Sequence, residues 1–378
     1  MTPKSIQGRN QANGEYIEIL IESGLIRWIK RSPPENDLWL SPGFIDLQVN
    51  GYHGCDLNAE SLTPDVVTDL VYRLFAVGVT TFIPTLITAA EDRIIAALRA
   101  ISEARDRSPL VRHAIPYVHL EGPHISPKDG PRGAHPRNHV RPPDIAEFER
   151  WQAASDNMVG MVTLSPHSAS ALPYISHLAS RKCVVAIGHT DAKPSRIHAA
   201  VDAGAVLSTH LGNGLAGELP RHPNLLWAQL ADDRLSASFI ADGHHLPADT
   251  LKAMLRAKGI ERSILVSDTV ALSGSPPGQY RTPVGGTVEL NADGRISIPG
   301  TPTLAGAALP LKAGIANVAR LPGFSLKDAI AMTTRNPGRF TGQRGVLRVG
   351  ADADLVQFRW VPGSEVQIVN CLIGGVAP

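Results

Sequence analysis

Short apolar segments alternate with helix-like segments along most of this 378-residue chain. Helical periodicity covers residues 63–77 and 90–105, and a strand-like stretch lies between them at residues 80–85. Repeated strand–helix units predict a parallel sheet with right-handed crossover connections. Further strand candidates, most of them separated by helical segments, are residues 160–164, 183–187, 205–208, 237–240 and 263–266.

The two chain ends follow a different pattern. Residues 15–31 predict a β-hairpin, and two strand-like stretches close the chain at 353–358 and 366–369. A turn-rich, β-like segment at 279–299 precedes two further helices, expected at about 305–319 and 325–334. The chain length suits a barrel of roughly 250 residues with a smaller partner. We therefore expect a TIM-like (β/α)₈ barrel over residues 42–345, a β-hairpin insertion near 279–299, and a small β-sandwich formed by residues 1–41 and 346–378.

The composition excludes several classes of function. The chain has 36 basic and 35 acidic residues, so neither nucleic acid nor an anionic membrane is an expected partner. Cys55, Cys183 and Cys371 lie far apart and form no CxxC pair, which suits a reducing compartment. The N-terminus lacks the apolar run of a signal peptide. The expected location is the cytoplasm.

Four polar residues lie where apolar strands are predicted to end: Glu121, His189, His210 and Asp268. In a (β/α)₈ barrel the carboxyl ends of the strands form the active-site face. With about 30 residues per strand–helix unit, the spacing of these residues is consistent with strands 3, 5, 6 and 8. Gln48 then lies on the first strand.

One Glu and two His are ligands suited to Zn²⁺, Fe²⁺ or a similar ion. Three protein ligands leave a position open for water, and a neighbouring Asp can accept a proton from that water. A single strand-end His is more often a buried histidine with satisfied hydrogen bonds than a ligand. The combination of two His, one Glu and one Asp at strand ends makes that alternative much weaker.

These residues lie within motifs that resemble those of the N-acetylglucosamine-6-phosphate deacetylases of the amidohydrolase superfamily. The motifs appear in the family's order from about residue 40 onward: PGFID at 42–46, HLEGP at 119–123, GHT at 188–190, THLGN at 209–213, ADGHH at 241–245, VSD at 266–268 and LAG at 304–306. The resemblance implies a metal-dependent hydrolase that converts N-acetylglucosamine 6-phosphate to glucosamine 6-phosphate and acetate.

The resemblance also implies roles for individual residues. Glu121, His189 and His210 would hold one divalent metal per subunit, with Zn²⁺ favoured and Fe²⁺ as the alternative, and Asp268 would be the general base and then the general acid. Many superfamily members carry His-x-His on the first strand, whereas this chain has Gln48-Val49-Asn50, which favours one tightly bound metal. The implied substrate-binding residues are Gln48, Ala134, His135, Asn213, Gly214, Arg221, His245, Leu304, Ala305 and Gly306.

The Arg in this family often comes from the neighbouring subunit, so a homodimer is expected and Arg221 could act in either subunit. Judged without the resemblance, Arg221 is a surface residue in the loop 220–223, and His135 is nearly as well explained as a solvated loop residue. His53, His124, His167, His222 and His244 are expected to be loop or packing residues.

The chain departs from the family at residues 212–214 and 269–273, at Ala307 and at His124. These departures concern the substrate more than the reaction. The alternatives are a deacylase of another N-acyl compound, such as a different amino-sugar phosphate or an N-acyl amino acid, and a non-catalytic barrel of the same fold.

Overall fold

The computed structural model describes residues 4–377. Its strands are β1 (Lys4–Asn10), β2 (Tyr16–Glu22), β3 (Leu25–Arg31), β4 (Trp39–Pro42), β5 (Phe44–Val49), β6 (Gly51–Tyr52), β7 (Cys55–Asp56), β8 (Val79–Ile87), β9 (Val118–Glu121), β10 (Val159–Leu164), β11 (Val184–Ile187), β12 (Leu207–Ser208), β13 (Ser236–Ile240), β14 (Ser263–Val266), β15 (Gly278–Thr282), β16 (Gly286–Leu290), β17 (Ile296–Ser297), β18 (Leu355–Arg359) and β19 (Gln367–Leu372). Its α-helices are α1 (Pro64–Phe75), α2 (Glu91–Arg107), α3 (Pro109–Ala114), α4 (Ile145–Ala154), α5 (Ala171–Ser180), α6 (Pro194–Asp202), α7 (Leu225–Ala231), α8 (Ala248–Lys258), α9 (Leu311–Arg320), α10 (Leu326–Ala331) and α11 (Arg335–Gly338).

Eight strands form the predicted barrel sheet. Their order is β5-β8-β9-β10-β11-β12-β13-β14, and every neighbouring pair is parallel. The last strand meets the first where the Asp268 amide donates to the Gln48 carbonyl at 3.0 Å and Val49 forms a parallel bridge with Thr269. The predicted TIM-like fold class is therefore confirmed.

Apolar side chains fill the inside of the barrel. The cluster contains Ile45, Leu47, Ile83, Met161, Ala186, Leu207, Ile240, Ile264, Val266 and Ala307, each at most 3% exposed. Because these side chains close the interior, polar groups can gather only at an open end of the barrel, beyond the strand ends.

The surrounding helices follow from ordinary sequence signals, as α1 shows. Thr63 caps its N-terminus by accepting from the Val66 amide, and Pro64 occupies the first turn. Its buried residues, Val67, Leu70, Val71, Leu74 and Phe75, share one helical face that packs on the sheet side. The helices predicted at 63–77 and 90–105 are present as α1 and α2.

Both chain ends contribute to one further sheet, in the order β19-β18-β4-β1-β2-β3. Its own apolar cluster includes Ile19, Ile26, Leu40 and Leu355. His113 of α3 lies 2.8 Å from the Asp354 carboxylate, which links this sheet to the barrel. The small β-sandwich expected from the two ends is thus present as one six-stranded mixed sheet, and its boundaries at residues 41 and 346 stay a prediction.

The segment near 279–299 forms a three-stranded sheet, β15-β16-β17, rather than a simple hairpin. The helix expected from residue 305 begins only at Leu311. Pro310 at the N-cap disfavours a helical residue before it, and Gly306 adopts a φ of 79°. The helix expected at about 325–334 is present as α10, and the short helix α11 follows it beyond the expected range.

No helix in residues 4–377 has both the length and the apolar character needed to cross a bilayer.

We expect Ile45→Ala to lower the free energy of unfolding by about 2–5 kcal/mol, because Ile45 is 1% exposed inside the barrel and its truncation leaves a cavity. Urea unfolding followed by circular dichroism measures this change. Val361→Ala, at a position that is 64% exposed, is the control and should change stability by less than about 0.5 kcal/mol. Equal effects of the two substitutions would contradict the assignment of Ile45 to the barrel core.

Candidate metal centre and catalytic site

The barrel brings the four predicted strand-end residues to one end of the sheet. Glu121 is the last residue of β9, while His189, His210 and Asp268 each lie two residues beyond β11, β12 and β14. His189, His210 and Asp268 have φ values of 46°, 28° and 53°. Such left-handed conformations are uncommon for residues other than glycine, and they cluster where backbone geometry serves a site.

The Glu121 carboxylate lies at the centre of this group. Its Oε1 atom is 2.8 Å from His210 Nε2 and 3.2 Å from His189 Nε2. Gln48 Nε2 donates to the same oxygen at 2.9 Å. All four side chains are buried, so a charge on Glu121 is shielded from water by the protein.

The residues present fit a divalent cation. One donor atom from each of Glu121, His189 and His210 lies within 4.8 Å of the other two. Within the described residues, the ion-pair partners of Glu121 are all histidines, and no Lys or Arg compensates its buried charge. His189 Nδ1 lies 2.9 Å from the Pro131 carbonyl, to which it can donate only when it carries the proton. The Nε2 atom of His189 is then free to bind a metal.

The electrostatics of Glu121 agree with a cation site. Burial by itself raises the pKa of Glu121, but hydrogen bonds and attraction from His189 and His210 outweigh it and hold the pKa well below its ordinary value. Glu121 is therefore ionised at neutral pH, as a metal-binding carboxylate must be.

The pKa of Asp268 shifts in the opposite direction. Burial, followed by repulsion from Glu121, raises the pKa of Asp268 to about 6. Asn50 Nδ2 donates to Asp268 Oδ1 at 2.7 Å and fixes the orientation of the carboxylate. A carboxyl group with a pKa near neutrality can both accept and return a proton, which is the behaviour of a general acid/base.

Two amides at the end of the first barrel strand thus hold the two carboxylates. Gln48 lies on β5 and Asn50 directly follows this strand, and they contact Glu121 and Asp268 respectively. A contact between Asn50 and Asp268 was not expected from the sequence.

The loop after β9 adds His135 to the site. His135 Nε2 lies 3.8 Å from Glu121 Oε2, and its Nδ1 lies 2.9 Å from the Thr88 hydroxyl. Burial and the neighbouring His189 lower the pKa of His135 to about 3, so the imidazole is neutral. Gly122 begins the loop with a φ of 81°, and a Cβ atom there would lie 2.2 Å from the Thr88 hydroxyl, so the position requires glycine.

His245 is oriented by Asp242. His245 Nδ1 lies 2.8 Å from Asp242 Oδ2, and the backbone amides of His244 and His245 donate to Asp242 Oδ1 at 2.9 and 3.0 Å. Burial raises the pKa of Asp242, but the bonds from His245 outweigh it and lower the pKa to about 2. The ionised Asp242 fixes a proton on Nδ1 of His245 and leaves its Nε2 available.

These groups surround a cavity of about 490 Å³. Most of the predicted site residues line it: Glu121, Ala134, His135, His189, His210, Asn213, Gly214, His245, Asp268, Leu304 and Gly306. Gln48 and Ala305 are buried behind the lining, and Arg221 is exposed and lies outside it. The assigned roles of all these residues stay predictions.

Two ionisable lining residues were not expected from the sequence. His244, which was interpreted as a loop or packing residue, lines the cavity, and so does Arg295. The segment that contains Arg295 showed only turn and strand signals. Nothing local indicated which of its side chains would face the barrel.

His124, the residue that departs from the family within the HLEGP region, has a packing role in the structure. Its ring is fully buried, stacks on Trp151 at 5.7 Å between centroids and meets Tyr174 edge-on at 5.1 Å. Burial lowers the pKa of His124 to about 4, so the side chain is neutral, and Nδ1 lies 3.2 Å from the Arg141 carbonyl.

Known proteins resemble this chain in sequence and in fold. A model of the amidohydrolase family matches residues 39–371. The chain is 32% identical to the N-acetylglucosamine-6-phosphate deacetylase of Bacillus subtilis (strain 168) over 345 residues, which cover 90% of this chain and 84% of that protein. It is 34% identical to the N-acetylgalactosamine-6-phosphate deacetylase of Escherichia coli O157:H7 over 335 residues, with coverages of 87% and 86%.

A solved structure has the same architecture. It is an aspartate-to-alanine mutant of the N-acetyl-D-glucosamine-6-phosphate deacetylase of Mycobacterium smegmatis in complex with N-acetyl-D-glucosamine-6-phosphate. Its TM-score to this chain is 0.88, with 27% sequence identity and coverage of 99% of both chains.

We expect Glu121→Gln to weaken metal binding by more than about a hundredfold. Loss of an outer partner of a metal ligand costs up to that factor, and loss of a charged ligand should cost more. Competition with a chelating dye, together with metal analysis after dialysis, measures the affinity. His198→Gln is a matched control, because His198 is an exposed histidine on α6 that does not line the cavity. Glu121→Gln binding metal as tightly as the wild type would contradict the assigned ligand set.

Proposed function

This chain belongs to the amidohydrolase family, and on that basis we propose that it is a metal-dependent deacetylase of N-acetylglucosamine 6-phosphate. The products are glucosamine 6-phosphate and acetate. The observation that carries the proposal is the buried group of Glu121, His189 and His210 beside Asp268, all facing one cavity. Relatives that span most of the chain and are named for this reaction support it.

The metal site supplies Lewis-acid chemistry: a bound divalent ion polarises the acetyl carbonyl and lowers the pKa of water. Glu121, His189 and His210 would hold the ion. Two imidazoles and one carboxylate suit Zn²⁺, and Fe²⁺ accepts the same ligands. One ion per subunit is proposed, because the first strand offers the amides of Gln48 and Asn50, which are engaged with carboxylates.

Asp268 is the group that moves the proton. It takes a proton from the attacking water and returns it to the nitrogen of the leaving amine. Its raised pKa, about 6, suits both steps, because the carboxylate is ionised at neutral pH yet basic enough to hold a proton during the reaction. Asn50 keeps one oxygen of Asp268 in place through a 2.7 Å hydrogen bond.

The remaining lining residues would bind the sugar. His135 is a neutral imidazole and His245 is oriented by Asp242, and both lie at the cavity wall. They could form hydrogen bonds with the hydroxyl and acetyl groups of an amino sugar. The segments 213–214 and 304–306 present backbone and amide groups at the same wall. Gln48 contacts Glu121 directly. We therefore propose that Gln48 contacts only the part of the substrate that lies next to Glu121.

A second candidate substrate is N-acetylgalactosamine 6-phosphate. Relatives from Escherichia coli O157:H7 and a Shewanella species are named for that substrate and are as similar to this chain as those named for the gluco isomer. The two sugars differ in the orientation of one hydroxyl, so the same metal and Asp268 chemistry serves both. By contrast, no feature of the site favours an N-acyl amino acid as the substrate.

We also propose a homodimer in which Arg221 reaches the neighbouring subunit. Arg221 is exposed in the loop before α7 and does not line the cavity of its own chain. The helix that follows exposes 51% of Trp227, a large apolar side chain of the kind enriched at interfaces. The cytoplasm is the proposed location, because the three cysteines are free.

The direct test is turnover of both amino-sugar phosphates, the unphosphorylated sugar and an N-acetyl amino acid, with metal content measured on the same sample.

We expect Asp268→Asn to lower kcat by at least about a hundredfold, the size of a general acid/base contribution, while metal binding persists. Asp233→Asn removes a carboxylate that is 78% exposed and should leave turnover unchanged. Near-wild-type turnover by Asp268→Asn would refute the mechanism.

For Arg221, we expect Arg221→Ala to raise KM strongly and hybrid dimers to restore the KM of the wild type. A hybrid of one Arg221→Ala subunit and one Asp268→Asn subunit contains one complete site if Arg221 acts in the neighbouring subunit. It should then have the KM of the wild type and about half its kcat, measured after purification with two affinity tags. A hybrid that keeps the raised KM of Arg221→Ala would mean that Arg221 acts within its own subunit, and an unchanged KM in Arg221→Ala itself would mean that Arg221 does not contact the substrate.

A further inference from the structure

The inserted sheet β15-β16-β17 brings one permanent cation to the cavity. Arg295 lies directly before β17, is half-buried, and contributes to the cavity lining. Among the residues that line the cavity, Arg295 is the one Arg or Lys. The other ionisable lining groups are histidines and the carboxylates of Glu121 and Asp268.

Within residues 4–377 the Arg295 guanidinium has no protein partner: no carboxylate lies within 4.0 Å of it, and it makes no hydrogen bond. The backbone of Arg295 is engaged, because its amide donates to Asp293 Oδ1 at 3.1 Å and its carbonyl accepts from the Asn291 amide at 2.9 Å, which shapes the turn. An unpaired, partly buried guanidinium offers five donors in a planar fork, which matches a phosphate group.

Arg295 is held at a fixed place relative to the sugar-binding wall. His244 Nε2 lies 3.0 Å from the Asp293 carbonyl, so the turn before Arg295 is attached to the loop that carries His245. On the other side, Ile296 is 1% exposed and packs in the apolar cluster of the inserted sheet. The backbone on both sides of Arg295 is therefore anchored.

We propose that Arg295 binds the phosphate group of the substrate and that it does so within its own subunit. This inference rests on the proposed function, because it assigns the phosphate end of a substrate whose acetamide end lies at Glu121, His189, His210 and Asp268. The arginine expected from the sequence, Arg221, lies outside the lining of its own chain. A subunit taken alone thus already contains one phosphate contact, and Arg221 of a neighbour would add to it.

The test compares Arg295→Gln and Arg295→Lys on the full-length, metal-loaded protein. We expect Arg295→Gln to lower kcat/KM for N-acetylglucosamine 6-phosphate by about 10- to 100-fold, mainly through KM, because a hydrogen bond to a charged group is lost. For unphosphorylated N-acetylglucosamine the change should be less than about twofold. Arg295→Lys should retain part of the preference, since Lys keeps the charge but loses the fork.

Arg281→Gln is the matched control. Arg281 lies on β15 of the same inserted sheet, is exposed, and is not among the lining residues. It should behave as the wild type with both sugars. An equal loss with both sugars in Arg295→Gln, or no loss with either, would refute the proposal.

A binding measurement separates this inference from the deacetylase reaction. Calorimetric titration with inorganic phosphate should show binding to the wild type and to Arg281→Gln, and at least about tenfold weaker binding to Arg295→Gln. If this difference appears although the wild type hydrolyses no acetylated sugar phosphate, the proposed function fails and the anion site stands. If the wild type is an active deacetylase and phosphate binds all three proteins equally, Arg295 is not the phosphate contact.

Discussion

The site depends on a negative charge that is almost entirely buried. Glu121 is 3% exposed, and its described ion-pair partners are histidines. An ionised carboxylate in such a place is costly unless hydrogen bonds and a cation compensate it. The parallel barrel gathers polar groups from several strands around it, since Gln48 of β5 donates to one of its oxygens and the residues after β11 and β12 bring two imidazole nitrogens to the same oxygen. A bound metal would supply the positive charge beside Glu121 that no Lys or Arg of the described residues supplies.

The two amides at the end of β5, Gln48 on the strand and Asn50 directly after it, each hold one of two carboxylates with different pKa values. Gln48 donates to Glu121, whose pKa is held low, and Asn50 donates to Asp268, whose pKa is raised to about 6. The histidines beside Glu121 favour its charge, whereas Glu121 itself disfavours a second charge on Asp268. The first carboxylate is thus kept ionised, as a metal ligand would need to be, and the second is able to exchange a proton. Imidazoles in place of these amides would instead offer a second set of metal ligands.

Much of this arrangement could be predicted from the chain alone. Gln48, Glu121, His189, His210 and Asp268 lie on or directly after the first, third, fifth, sixth and eighth barrel strands, in agreement with the register with which their spacing was consistent. This succeeded because strand–helix repeats have a regular length and place every strand end on one face. Arg295, His244 and Asn50 were missed for different reasons. The first two depend on how an inserted sheet packs against a loop distant in sequence, and Asn50 depends on a hydrogen bond across the point where the barrel closes. The start of α9 was misjudged because Gly306 and Pro310 dictate backbone shape within an otherwise helical composition.

The terminal sheet also has a consequence for how the chain is made. β4 lies between β1, which precedes it in sequence, and β18, which is synthesised after the whole barrel. During synthesis from the N-terminus, one edge of β4 therefore stays open until the final segment leaves the ribosome. Open strand edges invite pairing with other chains. Pairing with β18 covers this edge of β4. A chain that stops before β18 would keep every predicted metal ligand but would leave the edge of β4 open to pairing with other chains.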